Sequence, residues 1–492
     1  MRRILLARFY EKIKGQLLSA EGSLKGKVFR GGAWLGVGSL TEQVVRFARS
    51  IVLARLLAPE AFGIMAVVLS ASTLIHSLTD IGVREAVIQN PRGGEDEYID
   101  SAFWLALGRS AALAASIVLL APWLAKFYGN AELTPLLRVA ALSVLIDGAW
   151  SPRMYIAIKQ LKLSRFALIT HGGGIGGVIF TVILSYLIRD VWALVIGAVV
   201  ESFIRVMLSY VFYPYWPHLG WHREATRELL KFSRGLFGLS FLNLIYAKTD
   251  IFVLAKLYSP AQLGLYSMAV YLAQVPTGFI MNLLGQTMMP TFAHIQGDEA
   301  RENRILLRVT SMIFILGMPV VLFVYFCGRS VLDLAFGGRY SDAAPALVAA
   351  AVVSVLGLAN GQVTTVFYAR GLPQLHRVCV VLMALTMIAL IYPFAKFFGT
   401  VGGQLACVAA CAAGWLFQVA RIKSITDLSM GQYFGSFFAG LGISSVVAMV
   451  CLGQRATGWR GPVVNIAFGV IGCAAAYALA GVIYLRRAEQ AA

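Results

Sequence analysis

VLARLLAPEAFG, residues Val52–Gly63, returns later in the chain as VLAKLYSPAQLG, residues Val253–Gly264. The offset is 201 residues, and each copy follows one long apolar segment and leads into another. A weaker pair is formed by the segments around Pro135 and Pro345. Membrane transporters are commonly built from internal repeats of this kind. We therefore predict two related halves that start from the same side of a membrane.

The composition is that of a polytopic membrane protein. The 492 residues are 59% hydrophobic and 13% charged, and the mean hydropathy is +0.74. A soluble globular protein is about half apolar and about a quarter charged. The net charge of +18 would suggest nucleic acid in a soluble protein. Here we expect it to come from Lys and Arg on the cytoplasmic side, with no nucleic-acid partner.

Apolar segments of about 20 residues, each long enough to cross a hydrocarbon core of about 30 Å, recur to the end of the chain. The predicted spans are 31–57, 62–89, 102–126, 133–157, 166–188, 191–212, 234–257, 262–289, 308–331, 343–368, 378–398, 401–421, 436–453 and 462–485. We predict an all-α fold with about fourteen transmembrane helices, as two six-helix lobes and two extra C-terminal helices. The predicted parts are a cytoplasmic amphipathic basic segment (1–28), the N-lobe (29–212), a cytoplasmic linker (213–233), the C-lobe (234–421) and an additional helix pair (434–487).

An even number of spans places both termini on one side. The connections on that side, with the N-terminal segment, carry 25 Lys and Arg residues, and the opposite connections carry nine. Cytoplasmic loops are enriched in these residues. We therefore predict that both termini are cytoplasmic. The N-terminal segment lacks the long apolar core of a removable signal peptide, so we expect an amphipathic helix there.

The first span carries Glu42, Arg46 and Arg49. A charge at the centre of a span costs about 2.5–3.5 kcal/mol on insertion scales. At about 100° per residue the three positions fall within roughly 60° of arc, so they face protein or a water-filled cavity. Two arginines share one carboxylate on this helix, which predicts an anionic cargo, and arginine suits phosphate because its fork donates two hydrogen bonds. The alternative is that these charges pair and only hold helices together.

Two further pairs in the first half have the i, i+4 spacing of helix neighbours: Asp80 with Arg84, and Glu201 with Arg205. Glu42 and Asp80 are candidates either for titration during transport or for structural ion pairs. The second half has few charges within its spans, chiefly Lys248 and Asp250. It offers uncharged polar groups instead: Gln274, Asn282, Gln286, Asn360 and Gln362.

HGGGIGG, residues His171–Gly177, is similar to a phosphate-binding loop only in its glycines. It lacks the Lys-Ser/Thr ending and a preceding strand, so we expect the glycines to let helices approach each other and His171 to be a polar packing residue. No HExxH, GxSxG or paired Cys/His set is present. We therefore expect no catalytic residue, no metal site and no cofactor.

Several stretches resemble the oligosaccharide-lipid flippases of the MOP superfamily. In the first half these are GGAWLGVGS, VLARLLAPEAFGIMAV and LTDIGVREAVIQN, and in the second half KTDIFVLAKLYSPAQLGLYSMAVYLAQVP and MMPTFAHIQGD. The resemblance covers nearly the whole chain in order. It is closest to the Wzx-type branch, which includes exporters of colanic acid and similar exopolysaccharides.

The resemblance implies a flippase that moves undecaprenyl-pyrophosphate-linked oligosaccharide repeat units from the cytoplasmic to the periplasmic leaflet of a bacterial inner membrane, for exopolysaccharide or lipopolysaccharide biosynthesis. It implies a cationic cavity lined by spans one, two, seven and eight. The implied pyrophosphate-binding residues are Arg46, Arg49, Arg84 and Lys248. Cavity acids that would couple to H⁺ or Na⁺ are Glu42, Asp80 and Asp250, and the polar lining is Gln274, Asn282 and Gln286. Membrane lipids, a polysaccharide polymerase and a chain-length regulator are the implied partners.

Three alternatives remain open. A cation-coupled multidrug or metabolite exporter of the same superfamily predicts that acids dominate the cavity, whereas basic residues outnumber acids across these spans. A membrane glycosyltransferase or polymer ligase needs a substantial periplasmic loop with catalytic groups, and the longest outer segment offers only Asp333 and Asp342. A structural scaffold leaves the arginines within the spans unexplained.

Overall fold

The computed structural model describes residues 24–77, 82–160, 162–218, 222–233, 239–457, 459 and 461–490. Within these ranges, side chains are described from 34 to 482 except at 77, 231–233, 239–241, 279, 282–283 and 286. The predicted N-terminal amphipathic helix therefore lies largely outside the described residues.

The described residues form helices and no β-strand. In chain order the helices are α1 (Leu24–Leu56), α2 (Pro59–Ser77), α3 (Val83–Gln89), α4 (Asp96–Tyr128), α5 (Leu133–Asp147), α6 (Arg153–Lys159), α7 (Leu163–Ile188), α8 (Val191–Phe212), α9 (Arg223–Ser233), α10 (Leu239–Leu257), α11 (Pro260–His294), α12 (Glu299–Phe336), α13 (Ala344–Ala369), α14 (Pro373–Phe398), α15 (Val401–Thr426), α16 (Met430–Ala456) and α17 (Pro462–Gln490).

The chain is a multi-pass membrane protein. Among the described residues, ten helices are long and apolar enough to cross a membrane: α2, α4, α7, α8 and α12 to α17. The other four predicted spans correspond to α1, α5, α10 and α11. The prediction of an all-α polytopic fold is confirmed.

Two predicted spans are not single helices. The second, 62–89, is described as α2 and α3, and α3 begins after Gly82, whose φ of 55° lies in the left-handed region. A right-handed helix does not continue through such a residue, so the prediction of one helix is wrong. The fourth, 133–157, is divided between α5 and α6, and Pro152 caps the start of α6, where proline is tolerated.

The helices form two compact units. Described residues up to Leu56 and from Ala71 to Ser240 make up the first unit. Leu57–Ser70 and the described residues from Phe241 onward make up the second. The start of α2 therefore packs with helices of the second half of the chain, although its sequence belongs to the first repeat.

The repeated motif explains this packing within the second unit. Pro59 and Gly63 at the start of α2 are equivalent to Pro260 and Gly264 at the start of α11. A Cβ on Gly63 would lie 1.9 Å from the carbonyl oxygen of Pro260, and a Cβ on Gly264 would lie 1.7 Å from that of Pro59. Equivalent positions thus make reciprocal backbone contacts that only glycine permits.

The linker after α8 packs against α3 and α4 within the first unit. Tyr215 donates a hydrogen bond to the carboxylate of Asp100, and Trp104 donates to the carbonyl oxygen of His218 over 2.9 Å. Burial and the bond to Asp100 raise the pKa of Tyr215. In α9, Ala225 and Leu229 belong to an apolar cluster with residues of α3 and α4: Ala86, Val87, Tyr98 and Ala102.

The C-terminal helices α16 and α17 pack on α12 in the second unit. Their shared apolar cluster contains Cys327, Ile443, Val447, Cys451 and Ala476. A polar chain also links them: Gln454 donates to Oδ1 of Asn465, and Asn465 donates to Ser330, each over 3.0 Å. Such interhelical hydrogen bonds stabilise packing where no water competes.

Candidate functional site

Helices α1, α7 and α8 of the first unit bring five polar side chains together. We call this group the charge cluster: Glu42, Arg46, His171, Glu201 and Arg205. Between 13% and 27% of each side chain is exposed. The charges are therefore half-buried within helices of the membrane-spanning part, where they need partners.

The first ion pair lies along α1. Arg46 donates from Nε and Nη2 to Oε1 of Glu42, over 2.8 and 2.7 Å. The same Nη2 lies 2.5 Å from Oε1 of Glu201 on α8. Hydrogen bonds between charged partners are stronger than neutral ones. Arg46 therefore joins α1 to α8.

Arg205 completes the set. Its Nη2 lies 2.8 Å from Oε1 of Glu201 and 3.3 Å from Oε1 of Glu42. Two guanidinium groups thus face two carboxylates, and their charges balance. The expectation that the first-span arginines have only one carboxylate between them is wrong. Glu201 of α8, 155 residues after Arg46 in the sequence, supplies a second one.

His171 also contacts the cluster. Its Nδ1 lies 2.6 Å from Oε2 of Glu42, on the side of the carboxylate that the arginines do not use. His171 belongs to a π-helical turn, Leu168–Gly172, within α7. Such turns occur often at functional sites. The sequence indicated a packing residue, and the structure places it on an acid.

The glycines of HGGGIGG make this approach possible. A Cβ on Gly174 would lie 2.3 Å from Oε1 of Glu42, and one on Gly173 would lie 2.5 Å from Cγ of Arg205. A Cβ on Gly177 would lie 2.4 Å from Cβ of Glu201. The prediction that these glycines serve close helix packing is confirmed. They leave α7 flat where the charged side chains of α1 and α8 lie.

Each arginine keeps donors that the carboxylates do not use. Within the described residues, Nη1 of Arg46 and Nη1 of Arg205 have no hydrogen-bond partner, and Nε of Arg205 is buried without one. A guanidinium group is a planar fork that can bind a phosphate oxygen beside a carboxylate. The arrangement can therefore hold an anion.

Three other described residues were predicted to bind phosphate. Arg49 is half-buried on α1, one turn beyond Arg46. Arg84 is exposed on α3, with its guanidinium carbon 5.3 Å from the ring centroid of Phe166. Lys248 is half-buried on α10 of the second unit. Their role in binding stays a prediction. Asp80 lies outside the described residues.

The second unit contains a buried acid. Asp250 on α10 is 4% exposed. Its Oδ2 accepts a hydrogen bond from Tyr266 over 2.5 Å, and Gln404 donates to the Tyr266 hydroxyl over 2.8 Å. Its Oδ1 has no hydrogen-bond partner among the described residues. The sequence indicated Asp250 but gave no sign of Tyr266 or Gln404, which belong to other helices.

The predicted polar lining lies on α11. Gln274 is exposed there. Asn282 and Gln286 are on the same helix, but their side chains are outside the described set.

Comparison with known proteins identifies the family. A family described as "Polysaccharide biosynthesis protein" matches residues 52–345, more than half of the chain. The chain belongs to this polysaccharide biosynthesis family. Its relatives include the lipopolysaccharide biosynthesis protein WzxC of Escherichia coli (strain K12), 23% identical over 68% of each chain. The succinoglycan biosynthesis transport protein ExoT of Rhizobium meliloti (strain 1021) is 23% identical over 65% of this chain and 63% of its own.

Solved structures show the same fold. The lipid II flippase MurJ, in an inward closed conformation, matches with a TM-score of 0.71 and 14% identity, over 92% of this chain and 99% of its own. An inward-facing multidrug transporter of the MATE family, in the MOP superfamily, matches with a TM-score of 0.59 and 15% identity, over 79% and 96%. The chain therefore has the same fold as these two proteins.

The contact between α7 and α8 gives a direct prediction. Gly177→Ala places a methyl group against the Cα, Cβ and Cγ of Glu201, so we expect a loss of about 1–3 kcal/mol in stability from overpacking. Gly176→Ala is the matched control, because its methyl group meets only the side chain of Ile204, at 3.3 Å from Cδ1 and 3.5 Å from Cγ2. Thermal unfolding of the purified variants in detergent measures both. Equal midpoints for the two variants would contradict the packing described here.

Proposed function

We propose that this protein is a flippase that moves undecaprenyl-pyrophosphate-linked oligosaccharide repeat units from the cytoplasmic to the periplasmic leaflet. The observation that carries the proposal is the pair of half-buried arginines, Arg46 and Arg205, within membrane helices and with unused donors. Membership of the family and relatives named for lipopolysaccharide and succinoglycan biosynthesis support the type of cargo.

The cargo has three chemical parts that suit such a site. Its pyrophosphate is anionic, its sugars are polar and its tail is apolar. The pyrophosphate would bind the free side of each guanidinium group, because Glu42 and Glu201 already occupy the other side. Binding would therefore weaken the ion pairs between α1 and α8 rather than fill an empty cationic pocket. A contact that has two alternative partners is a suitable element for a conformational switch.

The rest of the proposal follows from the family and the charge asymmetry. The protein acts in a bacterial inner membrane with both termini in the cytoplasm, and it transports without catalysing a covalent reaction. Arg49, Arg84 and Lys248 are further candidate contacts for the pyrophosphate. Membrane lipids are its surroundings, and a polysaccharide polymerase and a chain-length regulator are its proposed partners. Alternating access between the two repeats would expose the site to each leaflet in turn.

A liposome assay tests the function. Wild-type protein is expected to move a fluorescent undecaprenyl-pyrophosphate oligosaccharide between leaflets, and Arg46→Ala with Arg49→Ala is expected to slow this at least about tenfold through lost charge-assisted contacts. Arg55→Ala is the control, because Arg55 is exposed at the end of α1. Export of a cationic dye without lipid movement would contradict the flippase and favour the multidrug alternative.

We further propose that Asp250 is where a coupling cation, H⁺ or Na⁺, acts. A carboxylate that is 4% exposed is stabilised when it binds a proton or a cation. Asp250→Asn keeps an oxygen that can accept from Tyr266 but removes the charge. In the same liposomes, this variant is expected to flip lipid without acceleration by an imposed H⁺ or Na⁺ gradient. The exposed Asp342→Asn should respond as the wild type does, and an unchanged response in Asp250→Asn would exclude this role.

A further inference from the structure

We propose that a proton on His171 controls how tightly the charge cluster binds an anion. This inference rests on the proposed function, since it concerns the same site. His171 was not expected to act in the site, and its contact with Glu42 is the observation that changes this. Histidine is the side chain that most readily exchanges a proton in the physiological pH range.

Charged side chains from two helices, α1 and α8, surround His171. From α1, Glu42 lies 2.6 Å from Nδ1, and Arg46 is bound to the same carboxylate through its other oxygen. From α8, Glu201 and Arg205 complete the cluster. Arg49 follows on α1, one turn beyond Arg46. The ring itself is held close, because a Cβ on Gly38 would lie 2.6 Å from its Cδ2.

The proton changes the charge balance of the cluster. With neutral His171, the two arginines and two carboxylates of the charge cluster sum to zero; Asp147 of α5, which interacts electrostatically with Arg205 and Glu201, stands outside this sum. With protonated His171, Glu42 has a third cation to pair with, and the sum is one positive charge. Each guanidinium group then shares Glu42 with a further cation, and it has more charge available for another acceptor. An anion that takes this guanidinium restores the balance.

The two events therefore stabilise each other. An anion bound to Arg46 or Arg205 attracts the positive charge that a proton adds to His171. By linkage, protonation must then increase anion affinity by the same factor as anion binding increases proton affinity. The affinity for a pyrophosphate lipid should rise as the pH falls. A histidine that only packs would give no such dependence.

The test uses purified full-length protein and a prenyl diphosphate esterified at its far phosphate with N-acetylglucosamine. Both ends of this diphosphate are esterified, so its own charge is constant over the range tested. Between about pH 8 and about pH 6 we expect wild-type affinity to rise roughly fivefold or more, within the usual range of coupling. His171→Gln keeps a donor for Glu42 without a titrating group, and its affinity should change less than about twofold.

His294→Gln is the matched control, because His294 is exposed on α11, and it should keep the wild-type dependence. The same pH dependence in His171→Gln as in the wild type would overturn this inference alone. Absence of binding by wild type at every pH would overturn the proposed function as well. If His171→Gln does not fold, proton uptake by wild type and His294→Gln on binding near neutral pH decides. Uptake supports the inference, and no uptake overturns it.

Discussion

Charge inside a membrane is tolerated only where an opposite charge is at hand, and the first unit is arranged around this constraint. Glu42 and Arg46 lie on α1, and Arg205 and Glu201 lie on α8, so each helix carries one acid and one base to the same place. The cost of placing ionic groups in apolar surroundings is thereby offset by mutual pairing.

Glycine makes the pairing possible, as it does at the repeat motif. Gly173, Gly174 and Gly177 allow α7 to lie directly on the charged side chains. Gly63 and Gly264 allow the starts of α2 and α11 to meet backbone to backbone. In both places a methyl group would separate the helices. Small residues at helix contacts are the usual means of close packing in membranes.

Much of this fold could be predicted from the sequence. The repeat, the apolar segments and the glycine-rich turn of α7 are local patterns with a direct physical meaning. The i, i+4 spacing also indicated the pairs within α1 and α8. What could not be predicted was the contact between Arg46 and Glu201, because a pattern along one helix does not reveal which distant helix it faces. For the same reason His171 was expected only to pack, and Tyr266 and Gln404 were overlooked. The break at Gly82 was missed because a left-handed backbone has no hydropathy signal.

The charge-balanced cluster has a functional consequence that an uncompensated arginine stripe would not have. An anionic lipid that binds the unused donors of Arg46 weakens the pairing of this side chain with Glu42 and Glu201, so binding and helix packing are linked through Arg46. Specificity for phosphate then depends on the difference in strength between the arginine–phosphate pair and the arginine–carboxylate pair. This makes the cluster a switch between states rather than a permanent high-affinity site, as transport requires.

The most direct test of this account is a double-mutant cycle on unfolding stability with Arg46→Gln, Glu201→Gln and the two combined. We predict that each single change lowers the free energy of unfolding because it leaves an unbalanced charge. We also predict that the loss in the double variant is smaller than the sum of the two single losses by about 1 kcal/mol or more. Strictly additive losses would mean that the two side chains do not interact across α1 and α8, and would contradict the charge cluster on which the account depends.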